Sequence, residues 1–206
     1  MCDIKRLTQY VKKRIQNDPA HDFDHIMRVC RNAKKIAINE KADICVVLAA
    51  ALLHDIVSFP KHDARSKTSS SQSAIEAKKI LPGFGYSKKE IDIICDAIKN
   101  HSYSKKKTPK TLEGKILQDA DRLDALGAIG IARTFVVGGS SGRLIYNEQD
   151  PFCKNRVPDD KMWTVDHFYK KLLVLEKNMH TELGKKIARK RTAFMKKFLA
   201  QLAQEV

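Results

Sequence analysis

The sequence predicts an all-α fold. Three observations carry this. Apolar residues recur every three to four positions through most of the 206 residues, no sustained strand-like alternation interrupts them, and glycine and proline gather in a few short stretches. The periodicity places helices at about 3–16, 24–40, 43–56, 71–81, 87–100, 112–137, 161–179 and 181–204. The third is apolar on every face from Ile44 to Leu53, too short to cross a bilayer and suited to the middle of a core. The sixth contains Gly127 and Gly130, and glycine weakens a helix interior, so a break is expected near one of them. Loops are expected at Pro60, Ser69–Ser71, Pro82–Gly85, Lys105–Pro109 and Gly138–Pro158. The last makes a long loop near 138–160, of a length that often serves function. No repeat or composition shift asks for a second domain. The expectation is a single globular helical bundle over 1–206, with a core at 20–137 and C-terminal helices at 161–204 packed on it.

An apolar fraction of 43% and a charged fraction of 31% fit a globular, cytoplasmic chain with no membrane association. The N-terminal stretch to Lys13 is polar and amphipathic, unlike a secretory leader. Cysteines 2, 30, 45, 95 and 153 form no CxxC pair, which favours reduced thiols over a disulfide framework or a structural zinc site. The net charge of +15 favours anionic partners such as nucleotides or nucleic acid. Its lysines are spread over several segments without interleaved aromatic residues, so nucleic acid is not the favoured partner. The oligomeric state is not readable from the chain.

The informative residues are polar groups on apolar faces. In the helix beginning near Phe23, the residues Ile26, Val29, Cys30, Ala33, Ile36 and Ala37 form an inward stripe, with His25 at its edge and Arg28 sharing its face. The apolar helix Ile44–Leu53 delivers His54 and Asp55 at its end. A carboxylate carried there must be paired, hydrogen-bonded or metal-bound, because burying it alone costs many kcal/mol. A third cluster sets Asp119, Asp121 and Asp124 in a small, apolar helix, with Asp121 and Asp124 on one side. A cation offsets such crowding, and Arg122 pairing with Asp119 or Asp124 is the structural alternative.

His25, then His54-Asp55, then Asp121 resemble the H…HD…D pattern of the HD-domain metal-dependent phosphohydrolases. Longer strings are similar to a YedJ/YpgQ-like bacterial subgroup: His21-Asp-Phe-Asp-His25-Ile-Met-Arg-Val29, Leu52-Leu-His-Asp-Ile56 and Asp119-Ala-Asp-Arg-Leu-Asp-Ala-Leu-Gly-Ala. Similarity continues through His167–Leu172 and Thr181–Arg191, so it covers nearly the whole chain. The resemblance implies an all-helical fold with one divalent ion held by His25, His54, Asp55 and Asp121. Asp119 competes with Asp121 for the fourth place. Such a nitrogen and oxygen set suits manganese, iron, cobalt, nickel or magnesium, with zinc also open. The histidine of the second His-Asp dipeptide, His21, is an outer-sphere, substrate-side candidate. The family's glutamate shortly after the dyad is absent, since Ile56 to Lys61 contains no acid, which counts against a ppGpp hydrolase.

The activity implied is hydrolysis of a nucleotide or related phosphate ester, with a (d)NTP pyrophosphohydrolase as one form. His101 is the candidate general acid or phosphate ligand, with Arg28 and Lys61 beside it in catalysis and Arg65 and Arg133 binding phosphate. The alternatives are a nucleotide phosphodiesterase and a basic nucleic-acid-binding protein with a structural metal, the last predicting salt-sensitive binding without turnover.

Overall fold

Asp3 opens the first helix by accepting a hydrogen bond from the Arg6 backbone amide, satisfying one of the donors a helix start leaves over. The computed structural model describes residues 3–15, 22–59, 63–105 and 107–206. It is helical, with no strand among the described residues beyond an isolated bridge between Leu144 and Trp163. The chain divides into two compact units, Met1–Asp121 and Arg122–Val206. No single helix among the described residues is long and apolar enough to cross a membrane.

The first unit contains α1 (Ile4–Arg14), α2 (Phe23–Glu40), α3 (Ile44–Leu53), α4 (Ser69–Ile80), α5 (Lys88–Asn100) and most of α6 (Leu112–Asp124). Asp22 caps α2, Asp43 caps α3 through the amides of Cys45 and Val46, and Ser87 with Glu90 forms a capping box on α5. The all-round apolar α3 is surrounded by α1, α2, α4 and α5, and Val47, Ala49, Ala50, Ala51 and Leu53 are wholly inaccessible. It stops at Leu53, three residues earlier than periodicity predicts, because the chain turns with Ile56 N–H bonded to the Leu53 carbonyl. The serine run expected as a loop begins α4, where Ser70 and Ser73 are buried. Cys30, Cys95 and Cys153 are free, whereas Cys45 stands in a disulfide, a pairing that sequence spacing does not reveal.

The predicted break in 112–137 falls after Asp124, and Gly127 follows with φ 76°, a left-handed backbone that strains any side chain. The second unit contains α7 (Gly127–Ser140), α8 (Asp166–Lys170) and α9 (Glu182–Leu202). Phe135, Phe168 and Phe198, one from each helix, meet with ring centroids 5.9 to 6.1 Å apart, and Phe168 among them is fully buried. Two expectations are corrected here. Gly138 and Gly139 lie inside α7 rather than in a loop, and a Cβ on Gly138 would fall 2.2 Å from Thr164 Oγ1. The helix expected from 161 starts at Asp166, because Leu144 and Ile145 bond laterally with the backbone at 162–165. It ends at Lys170, capped by Lys171 (φ −134°), and gives way to a 3₁₀ helix at Leu172–Asn178.

Candidate metal centre

His25 is the third residue of α2, and its backbone amide donates to Asp22 at 2.7 Å, which fixes where the side chain leaves the helix. His54 is the C-cap of α3, with its Nδ1 2.7 Å from the Ala51 carbonyl. A carbonyl only accepts, so Nδ1 carries a proton and donates it, which leaves Nε2 to face the other side. That Nε2 lies 3.3 Å from His25 Nε2. Asp55 Oδ2 stands 3.8 Å from His25 Nε2 and 3.5 Å from His54 Nε2. From α6, Asp121 Oδ1 stands 3.6 and 4.0 Å from the same two nitrogens.

Each of the two carboxylates thus brings one oxygen within 4.0 Å of both imidazole nitrogens. With bonds of about 2.1 Å, ligands on a tetrahedron stand about 3.4 Å apart. The observed separations of 3.3 to 4.0 Å are in the range for ligands around an ion, with His25, His54 and Asp121 forming one candidate group and His54, Asp55 and His101 a second. Both imidazoles are almost wholly buried, while the Asp55 and Asp121 side chains keep 13% and 26% exposure, so the centre opens to solvent on its carboxylate side. Burial would raise the Asp121 pKa, but His101, His54 and His25 outweigh it and hold the carboxyl below its usual range. These residues could hold a divalent metal.

His101, the C-cap of α5, adjoins the group. Its Nδ1 is 2.7 Å from the Ile98 carbonyl, and its Nε2 is 3.7 Å from Asp55 Oδ1, the oxygen on the far side from His25 and His54. Burial, then the neighbouring His54, pushes the His101 pKa down.

The other sequence candidates are placed as follows. Arg28 lies one turn beyond His25 on α2, half-buried. Arg65 is exposed, bonds both oxygens of Asp63 and lies over the Phe59 ring with 4.7 Å to its centroid. Arg133, on α7, donates to Asp124 Oδ2 at 2.8 Å, the carboxylate for which Arg122 was the sequence candidate. Arg122 donates to the Asn178 carbonyl and stands 3.3 Å from His180 Nε2. Asp119 is wholly buried. His167 pairs with Asp160 at 2.8 Å, in the second unit. His21 and Lys61 lie outside the described residues.

Sequence reasoning missed the groups behind the ligands. Ser73, fully buried, takes the Val57 amide and returns its own proton to the Val57 carbonyl, both at 3.1 Å, two residues beyond Asp55. Gln118, also fully buried, donates to the carbonyls of Asn100 and Lys107. The only signal for Gln118 is a polar residue one turn before Asp121 on an apolar stretch.

The HD domain family matches residues 22–126, the stretch that carries all five residues of the cluster. Over 191 residues the chain is 35% identical to the protein YpgQ of Bacillus subtilis, spanning 90% of this chain and 84% of YpgQ. The crystal structure of B. subtilis YpgQ in complex with ADP is similar at a TM-score of 0.76 and 32% identity, covering 98% of this chain and 94% of that one. A crystal structure of an HD-superfamily hydrolase from Bacillus thuringiensis matches with TM-score 0.76, 32% identity and coverage of 98% and 95%. The chain belongs to the HD-domain family, among the HD-superfamily hydrolases.

Proposed function

We propose that this chain is a metal-dependent phosphohydrolase acting on a nucleotide phosphate, with one divalent ion held by His25, His54, Asp55 and Asp121. The observation that carries the proposal is the convergence of His25 Nε2, His54 Nε2 and Asp121, with Asp55 Oδ2 3.5 Å from His54 Nε2. The His54 Nδ1–H is committed to Ala51, so the ring offers a lone pair where a cation is needed. The absence of a thiolate and the mixed nitrogen and oxygen donors suit manganese, iron, cobalt, nickel or magnesium, and zinc also accepts them. ADP bound to YpgQ, 35% identical to this chain, supports a nucleotide as the substrate class.

A divalent ion bound here supplies Lewis acidity, lowering the pKa of water and polarising a phosphoryl oxygen. The chain's own groups do the rest. Asp55 directs one oxygen at the two imidazoles and the other at His101, so it connects the ligands to the proton-handling side. Burial pushes the His101 pKa down, and with Nδ1 occupied by Ile98 the ring offers Nε2 as proton acceptor to an attacking water. Arg28 is the cation on the His25 face for charge developing on phosphorus.

The test is direct. His54→Ala and Asp121→Ala are compared with the parent for metal content and for turnover of nucleotides with several divalent ions, products being weighed by mass spectrometry. Both substitutions are expected to weaken ion binding by more than the about 10–100-fold typical of changes behind the ligands, and to abolish turnover. Pyrophosphate plus a nucleoside monophosphate would identify a pyrophosphohydrolase. Full retention of metal and turnover in both variants would refute the centre.

A further inference from the structure

An α-helix leaves its last carbonyls without partners inside the helix. At the end of α5 each of the last three finds a different one. Ile98 O accepts from His101 Nδ1 at 2.7 Å, Lys99 O from Lys105 Nζ at 2.7 Å, and Asn100 O from Gln118 Nε2 at 3.0 Å. The same Gln118 nitrogen reaches the Lys107 carbonyl at 2.9 Å. Asn100 directly precedes His101, and Lys107 is where the chain comes back after the 3₁₀ turn at Tyr103–Lys105. One amide group with two protons therefore joins both ends of the segment that starts at His101. Lys105 closes the segment a second time, since Nζ also donates to Ser71 Oγ at 2.9 Å.

Gln118 lies three residues before Asp121 on α6, one turn away on the same side of the helix. We infer that Gln118 is a positioning residue for His101: it ties the start of the His101 segment to the helix that carries Asp121, so that the histidine and the ligand keep a fixed separation. The inference rests on the proposed role of His101 at the metal centre. The path from Gln118 to the histidine runs through the backbone of Asn100, the residue directly before His101. An apolar side chain of equal length would fill the same space and hold neither carbonyl.

The test uses Gln118→Met in the full chain, with His101→Ala and the double variant. Gln118→Met is expected to lower kcat on the order of 10–100-fold with little change in KM, while calorimetric titration shows ion binding close to that of the parent. The double variant is expected to be no slower than His101→Ala alone, because the amide has nothing left to position. Tryptic cleavage after Lys105 and Lys107 should accelerate in Gln118→Met. Parent-like kcat and cleavage, or losses that multiply in the double variant, would overturn the inference. In the unsubstituted protein, NMR should show the two Gln118 Nε2 protons protected from exchange. Exchange at the rate of a free amide would overturn it without any variant having to fold. The cleavage and exchange readouts do not depend on turnover, so they judge the clamp even if no phosphate ester is hydrolysed.

Discussion

His54 and His101 meet edge to face, ring centroids 5.0 Å apart and planes at 88°, and each ends its helix in the same way, with Nδ1 donated to the carbonyl three residues earlier. A carbonyl that a helix end would otherwise leave open thereby selects the tautomer of both rings. The helix termini also favour positive charge nearby, through the partial negative charge of those carbonyls. The two rings differ in what lies nearest their Nε2 atoms: for His54 it is His25 and an oxygen of Asp55, and for His101 the other oxygen of Asp55.

That difference separates their roles in an experiment. His101→Gln is expected to keep the bound ion and lose about 10²–10⁴-fold in turnover, the range for removing a proton-transfer group, whereas His54→Gln loses the ion itself. Elemental analysis of the purified proteins beside phosphate-release assays checks both. A His101→Gln protein as metal-poor as His54→Gln would make His101 a ligand.

Arg133 is the guanidinium partner of Asp124, a carboxylate only 2% exposed. Arg133→Met is therefore expected to lower unfolding stability by on the order of 3 kcal/mol, read by urea denaturation, with substrate KM unchanged. A stable variant with raised KM would return Arg133 to the phosphate.

Asp160 bridges His167 Nδ1 at 2.8 Å and Lys170 Nζ at 2.6 Å in the second unit. Burial would raise its pKa, but these two hydrogen bonds outweigh it and bring the value down to about 2 from 3.8. A depressed carboxyl stabilises the fold above its unfolded pKa, and the contribution disappears as pH falls from about 4 to about 2. Asp160→Asn should cost roughly 2 kcal/mol at neutral pH, and the gap from the parent should close as denaturation is repeated toward pH 2. A gap independent of pH would show that charge is not what the bridge contributes.

Gly138 lies against Thr164, so Gly138→Ala forces a Cβ into its hydroxyl. A cost of about 1–3 kcal/mol is expected, with partial recovery in Gly138→Ala/Thr164→Ala, both followed by thermal melting. An unchanged melting temperature in the single variant would show that α7 and the 164 segment separate readily.

Helical periodicity was enough to place most elements, because helices such as α2, α5 and α9 have one inward stripe and a capping residue at the start. It overran at 161–165, where the segment spends its backbone bonds on Leu144 and Ile145, a non-local pairing that no window of sequence contains. It also read Gly138 as a breaker, since the reason for that glycine is Thr164, 26 residues away. In the centre, the ordered histidines and aspartates were legible because ionisable groups at the end of an apolar helix are costly without a partner. Gln118 and Ser73 were not, because a neutral polar residue carries no such cost signal and its partners are backbone atoms far along the chain.

The helix α3 has no polar face, and that absence has a consequence for how the centre tolerates change. An amphipathic helix chooses its own rotation by which side water prefers, but α3 has no such preference and takes its rotation from α1, α2, α4 and α5 around it. His54 and Asp55 leave from its last turn, so their direction is decided by side chains on four other helices. The centre is therefore larger in mutational terms than in chemical ones. A methyl group lost from α1 or α5 where they meet α3 is expected to re-aim two proposed ligands that it never touches.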